Sequence, residues 1–154
     1  MPKKTWNEKL ASSNGLPKIK NISDQPQAAA RYGGENMLIA PPGEYDEIMK
    51  AVPYGRVTTS AEIRRFLAKK HGADFTCPLT AGIFINVAAH ASEERGGGDE
   101  TPYWRTLKNN GELNEKYPGG LEEQKARLEA EGQEVARKGK RYFVRDYEKK
   151  LFSL

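Results

Sequence analysis

Apolar positions along this chain fall into stretches with a helical period and shorter stretches with none. In "PPGEYDEIMKAVPYG", Tyr45, Ile48, Met49 and Val52 recur every three to four residues, which makes one face of a helix apolar, and the Pro-Tyr-Gly turn ends it. "VTTSAEIRRFLAKKHG" predicts a second helix: Thr59 and Glu62 stand three apart as a capping box, and Ile63, Phe66 and Leu67 form the buried stripe. Arg64, Arg65, Lys69 and Lys70 then face outward, and Gly72 closes the helix. After the short loop "ADFT", the stretch "CPLTAGIFINVAAHASEE" predicts a third helix with Pro78 at its first position and Leu79, Ile83, Val87 and Ala91 as its inward stripe. Two helices joined by a tight loop predict a helix-turn-helix, which presents the start of its second helix to a nucleic-acid groove; many helical hairpins of this look bind nothing.

Beyond the glycine-rich acidic loop "ERGGGDE", "TPYWRTL" predicts a short strand and Asn110-Gly111 a turn. "LEEQKARLEAEG" predicts a charged helix with Leu121 and Leu128 inward and Gly132 as its stop, and "QEVARKGKRYFV" two short strands around Lys138-Gly139. Residues 1 to 40 show no sustained period. Apart from one short helix around "TWNEKLAS" they are expected to form a flexible or loosely docked basic arm ahead of a domain spanning 41 to 154. No internal repeat, heptad run or glycine-rich phosphate loop is present. The expected fold class is α+β, mostly helical, with short strands.

Charge sharpens this reading. Lys and Arg number 25 against 21 Asp and Glu, a net charge of +4, with a pI near 9.1; this favours a polyanionic partner without requiring one. Part of the excess lies in the arm, where Lys3, Lys4, Lys9, Lys18, Lys20 and Arg31 face Glu8, Asp24 and Glu35, and part in the C-terminal hairpin at Arg137, Lys138, Lys140, Arg141 and Arg145. Either set suits a phosphate backbone or a plain solvated surface. The single cysteine, Cys77, rules out an intramolecular disulfide, and with only His71 and His90 beside it no metal site or cofactor is expected. No apolar run approaches the roughly 18 residues that span a bilayer, and the start "MPKKTWNEKL" has no signal-peptide core, so a cytoplasmic monomer is expected.

The segment from "VPYGRVTTSAEI" to "LEAEGQEV" resembles the DNA-binding domain of DNA alkyltransferases that repair alkylated guanine, and their non-catalytic alkyltransferase-like relatives, over roughly residues 44 to 145. The matches are Pro53 to Val57 before the helix-turn-helix, Pro102 and Arg105, and the series Tyr117, Gly119, Gly120, Leu121 and Glu131-Gly132. The resemblance implies a winged helix-turn-helix, duplex DNA as partner and repair proteins called to the lesion. It also locates the departures. The family's Pro-Cys-His-Arg motif falls on Pro102, Tyr103, Trp104 and Arg105, so the alkyl-accepting cysteine corresponds to Tyr103 and the histidine base to Trp104. Alkyl transfer needs a polarisable thiolate beside a base, and a phenol flanked by an indole supplies neither. Glu131 matches the carboxylate that supports the family's histidine; without the histidine a cap or surface charge is expected of it.

The nucleotide-flipping positions are altered as well. The family tyrosine that rotates the phosphate falls near Ser60, and the arginine that fills the emptied base stack near Leu79 or Thr80. Leu79 has two readings, an apolar wedge between bases or a core leucine on the stripe with Ile83, and the second is the stronger on sequence alone. The small Ala81 and Gly82 permit close approach either to a groove or to another helix. Cys77, just before the helix start, is either a reactive thiol favoured by the helix N-terminus or a small buried residue. The DNA-binding set expected is Ser60, Arg64, Arg65, Cys77, Leu79, Thr80 and Gly82, and the alkyl-base pocket Tyr103, Trp104, Arg105, Tyr117 and Pro118. The function expected is non-enzymatic DNA binding, with the pocket either an aromatic clamp that recognises alkylated guanine or plugged by its two large aromatics, which would leave a DNA or protein interaction module. An enzyme using Cys77 is a third, weaker reading.

Overall fold

The computed structural model describes residues 4–154. Among the described residues, six α-helices run α1 (Trp6–Ala11), α2 (Pro26–Tyr32), α3 (Pro42–Ala51), α4 (Ser60–His71), α5 (Pro78–Arg95) and α6 (Gly120–Ala130). Between them lie β1 (Lys18–Asn21), β2 (Asn36–Ile39), β3 (Thr58–Thr59), β4 (Phe75–Thr76), β5 (Thr106–Leu107) and the hairpin β6 (Val135–Lys138) and β7 (Arg141–Val144). The architecture is α+β and mostly helical, as expected. Helices α3, α4 and α5 enclose the core, where Tyr45, Met49, Ile63, Leu67 and Ala88 lose all contact with solvent.

The helix-turn-helix consists of α4, the connection of residues 72–77 and α5. Thr59 caps α4 by accepting from the Glu62 amide at 3.2 Å, which satisfies one orphan donor of the first turn. The reciprocal half of the expected capping box is missing, because the Glu62 carboxylate accepts from Arg65 at 2.7 Å instead. Gly72 ends the helix in the left-handed region at φ 69°, where a side chain would be strained.

Sheet topology places the Pro102–Arg105 segment. Strand β3 pairs in parallel with β5, Thr58 opposite Thr106 and Thr59 opposite Leu107, so this segment lies at the start of α4. "TPYWRTL" was expected to be one strand; only Thr106–Leu107 pairs, while Tyr103–Arg105 forms a single 3-10 turn with both aromatics facing inward. The Asn110-Gly111 turn forms with both residues at positive φ. A Cβ on Gly111 would come within 2.5 Å of the Tyr147 ring, so the turn also requires glycine for close approach.

The N-terminal region departs most from expectation. Among residues 4–40 are two helices and two strands, and β1–β2–β4 form one sheet, antiparallel then parallel. Helix α1 packs on the C-terminal half of α5: the Trp6 ring stacks on His90 at 4.6 Å, Asn7 Nδ2 donates to the Ala91 carbonyl at 3.0 Å, and Arg95 donates to Asn7 Oδ1 at 2.7 Å. Helix α1 lies where a short helix around "TWNEKLAS" is expected, whereas α2, β1 and β2 carry no periodic signal because α2 spans fewer than two helical turns and each strand only four residues. Lys3 lies outside the described residues. Among the described residues no helix is long and apolar enough to cross a membrane.

Candidate nucleic-acid interface

At the motif position both aromatics are buried, Tyr103 to 2% exposure and Trp104 to 7%. Tyr103 meets Trp104 and Tyr117 edge to face, at 5.3 and 5.2 Å between ring centroids. Arg127 lies over the Trp104 ring at 4.5 Å. The Tyr103 hydroxyl has no hydrogen-bond partner, and burial pushes its phenol above the ordinary value while Arg127 pulls the other way. A neutral phenol packed on all sides is neither a nucleophile nor an open stacking platform.

Glu131 corrects the expectation of a cap or surface charge. Its carboxylate accepts from Trp104 Nε1 at 2.9 Å and from Arg105 Nε and Nη2 at 2.8 and 2.7 Å. Arg105 also donates to the Val52 carbonyl at 2.9 Å. Charge-assisted, forked bonding of this kind fixes geometry: it ties the 3-10 turn to the end of α6 and to the residue after α3. Gln124 of α6 is 1% exposed. It donates to the Trp104 carbonyl at 3.1 Å and accepts from the Asn114 amide at 2.7 Å. A glutamine inside the charged pattern of α6 gives no signal of burial, so only the fold reveals it.

A cleft of about 310 Å³ opens on the other side of Tyr117, between the first half of α5 and residues 106–108 and 114–117. Tyr117 is 3% exposed, its hydroxyl donates to the Thr106 carbonyl at 2.8 Å, and burial raises its phenol too. Ser60, Leu79 and Gly82 line this cleft with Tyr117, whereas Tyr103, Trp104 and Arg105 do not. The structure therefore separates the expected pocket set: one member walls an open cleft, and the motif residues form a filled cluster behind it. Pro118, half-buried beside Tyr117, is not among the lining residues either.

The core reading of Leu79 is overturned. Leu79 is 72% exposed and Ile83 49%, and the buried face of α5 is Ala81, Ile85, Ala88, Ala89 and Ser92, joined by Val87 and Ala91 where α1 covers the helix. Phe66, also expected in the core, is 37% exposed. A Cβ at Gly82 would meet nothing within 4 Å, so this glycine serves no helix packing. Thr80 is half-buried, with its hydroxyl 3.4 Å from the Cys77 carbonyl. Ser60 Oγ donates to Asn109 Oδ1 at 2.9 Å, and Arg64 approaches the same oxygen at 3.5 Å.

Cys77 is the residue ahead of α5, partly exposed, and makes no side-chain cap bond. Neither histidine partners it: His71 Nε2 lies 2.8 Å from Glu44, and His90 Nε2 2.9 Å from the Lys116 carbonyl. In the hairpin, Arg141 pairs with Glu112 at 2.7 Å and Arg145 with Glu134 at 3.9 Å, which lowers the free charge expected there, while Lys138 and Lys140 are exposed.

No family model and no curated protein sequence matches the chain. Solved structures do. The chain is similar to S. pombe Atl1 in complex with damaged DNA containing O6-carboxymethylguanine, at 19% identity and a TM-score of 0.53, over 73% of this chain and 94% of that one. It is equally similar to S. pombe ATL in complex with DNA, at 18% identity and a TM-score of 0.54 with the same coverage. At this identity the likeness shows the fold: the chain has the helix-turn-helix fold of an alkyltransferase-like protein.

Proposed function

We propose that this chain is a non-enzymatic DNA-binding protein of the alkyltransferase-like type, which holds a damaged base, alkylated guanine being the first candidate, in the cleft beside Tyr117 and marks it for repair proteins. The observation that carries this reading is the cleft itself, at the lower end of the roughly 300–1,000 Å³ typical of small-ligand sites, with an exposed Leu79 at its mouth on the first turn of α5. A base must leave the duplex stack to enter such a cleft, and an exposed aliphatic side chain on the helix presented to DNA can occupy the gap it leaves. The likeness to a damaged-DNA complex supports the same reading. Alkyl transfer by the motif is not part of it, since residue 103 is a buried phenol with no base beside it.

The filling of the motif position by Tyr103 and Trp104 favours a second reading, an interaction module for DNA or protein with no preference for damage. Fluorescence anisotropy with duplexes that differ only by one alkylated guanine separates the two. Wild type should bind both, with affinity falling as salt rises, and prefer the alkylated duplex by tenfold or so, within the roughly 1–3 kcal/mol available to one base contact. Gly82→Phe adds bulk where nothing stands within 4 Å, so it should fold normally and block the cleft, abolishing the preference. Equal affinity of the wild type for both duplexes would sink damage recognition and leave the module; a flat salt response or no binding at low salt would remove DNA altogether.

A further inference from the structure

A second, larger cleft of about 510 Å³ lies one helical turn further along α4 and is not used by the reading above. Its α4 wall is formed by positions 61, 64, 65, 68 and 69, which share one face of the helix. Ala61 and Ala68 make a low floor, and Arg64 and Lys69 bring two cations to it, with Arg65, paired with Glu62 at 2.7 Å, beside them. The facing wall is aromatic: Phe75 of β4 carries Tyr32, from the end of α2, stacked on it at 5.2 Å and 21° between planes. The one acid in the lining, Asp74, is turned to the Asn36 backbone, whose N–H it accepts at 2.9 Å. The Thr76 hydroxyl donates to the Arg64 carbonyl at 2.7 Å and ties α4 to β4, so the two walls are held together.

A floor of small residues, a cationic rim and an aromatic wall fit a sugar–phosphate chain: phosphates meet the cations while the sugars pass over alanine. The cleft adjoins the one beside Tyr117 at Asn109, since Ser60, which lines that one, and Arg64, which lines this one, both approach Asn109 Oδ1. We infer that the basic cleft between α4, β4 and Tyr32 holds the phosphate backbone of the same DNA that α5 engages, and that the N-terminal segment thereby forms part of the DNA-binding surface. This rests on the DNA-binding reading and adds a location to it.

Two measurements on the full chain test it. For the variant Arg64→Gln with Lys69→Gln, the slope of log affinity against log salt on a duplex should fall by about 1.8, since each lost phosphate contact removes about 0.9; the melting temperature should hold. Hydrogen exchange of wild type with and without the duplex should show new protection at residues 26–34 and 73–76. Wild-type binding with an unchanged slope in the variant overturns the inference, as does unchanged exchange at 26–34. Absence of wild-type binding at low salt would instead strike the DNA-binding reading itself, so the two failures are distinguishable.

Discussion

Glu131 holds two side chains that the sequence places 26 and 27 positions away, and its removal would leave the Arg105 guanidinium, 13% exposed, without its counter-charge. Glu131→Ala is therefore expected to cost about 3–5 kcal/mol in urea unfolding, the usual penalty for orphaning one partner of a buried pair. Tyr103→Phe should behave in the opposite way: the hydroxyl it deletes is buried and unpartnered, so stability should stay within about 1 kcal/mol of wild type or rise. Loss of several kcal/mol in the same assay would mean that the hydroxyl has a partner, such as a bound water. Pro102 and Arg105, which bracket Tyr103-Trp104, made the resemblance to a Pro-Cys-His-Arg motif legible in the sequence, but what fills the space was not legible. Burial depends on Tyr117, Arg127 and Gln124 converging from distant positions, and local pattern carries no information on convergence.

At the scale of elements, existence was easier to read than phase. Helices α3 to α6 and the hairpin lie where hydrophobic period, Pro78, Gly72 and the Lys138-Gly139 pair put them. Of the stripe expected to face inward on α5, Val87 and Ala91 are buried but Leu79 and Ile83 are not, because "LTAGIFINVAA" is apolar on every side and the first half of the helix packs through Ala81 and Ile85 instead. Leu79 and Ile83 are thereby left exposed on the first turns of α5. Contacts between elements also set the acid response. Burial alone would raise the Glu44 carboxyl, but hydrogen bonds from His71 and Lys70 outweigh it and hold the carboxyl below its usual 4.5. A lowered folded-state value means that the stabilisation is complete above the ordinary carboxylate range and is lost as pH falls through the folded value. Thermal scans should thus show α3 and α4 loosening below about pH 4.5. Glu44→Gln should flatten that acid limb, and an unchanged limb would assign it to other carboxylates such as Glu112, which Arg141 holds low by a hydrogen bond.

For the whole molecule, the issue is whether one cooperative unit includes the N-terminal segment or a helix-turn-helix body carries an arm. The contacts favour one unit. Asn7 joins α1 to α5 through the Ala91 carbonyl and Arg95; Arg95 continues to Thr101 Oγ1 at 3.1 Å, and Thr101 donates to the buried Asp46 of α3. This chain of polar contacts runs from α1 to the segment that carries Tyr103 and Trp104, so loosening α1 should be felt at the motif. Asn7→Ala removes three side-chain bonds, two of them in a partly buried setting, about 1–2 kcal/mol, and for a chain of this length each kcal/mol moves the midpoint by roughly 2–4 °C. The expected outcome is a single thermal transition shifted down by a few degrees, with the near-ultraviolet signal of the buried Trp104 following the same curve as the helical signal. If residues 4–40 were instead a loosely docked arm, Asn7→Ala would leave the main transition where it is and only speed amide exchange in α1. The same comparison bears on the DNA-binding surface inferred above, since Tyr32 can serve as a wall of the basic cleft only while β1 and β2 keep its segment on β4.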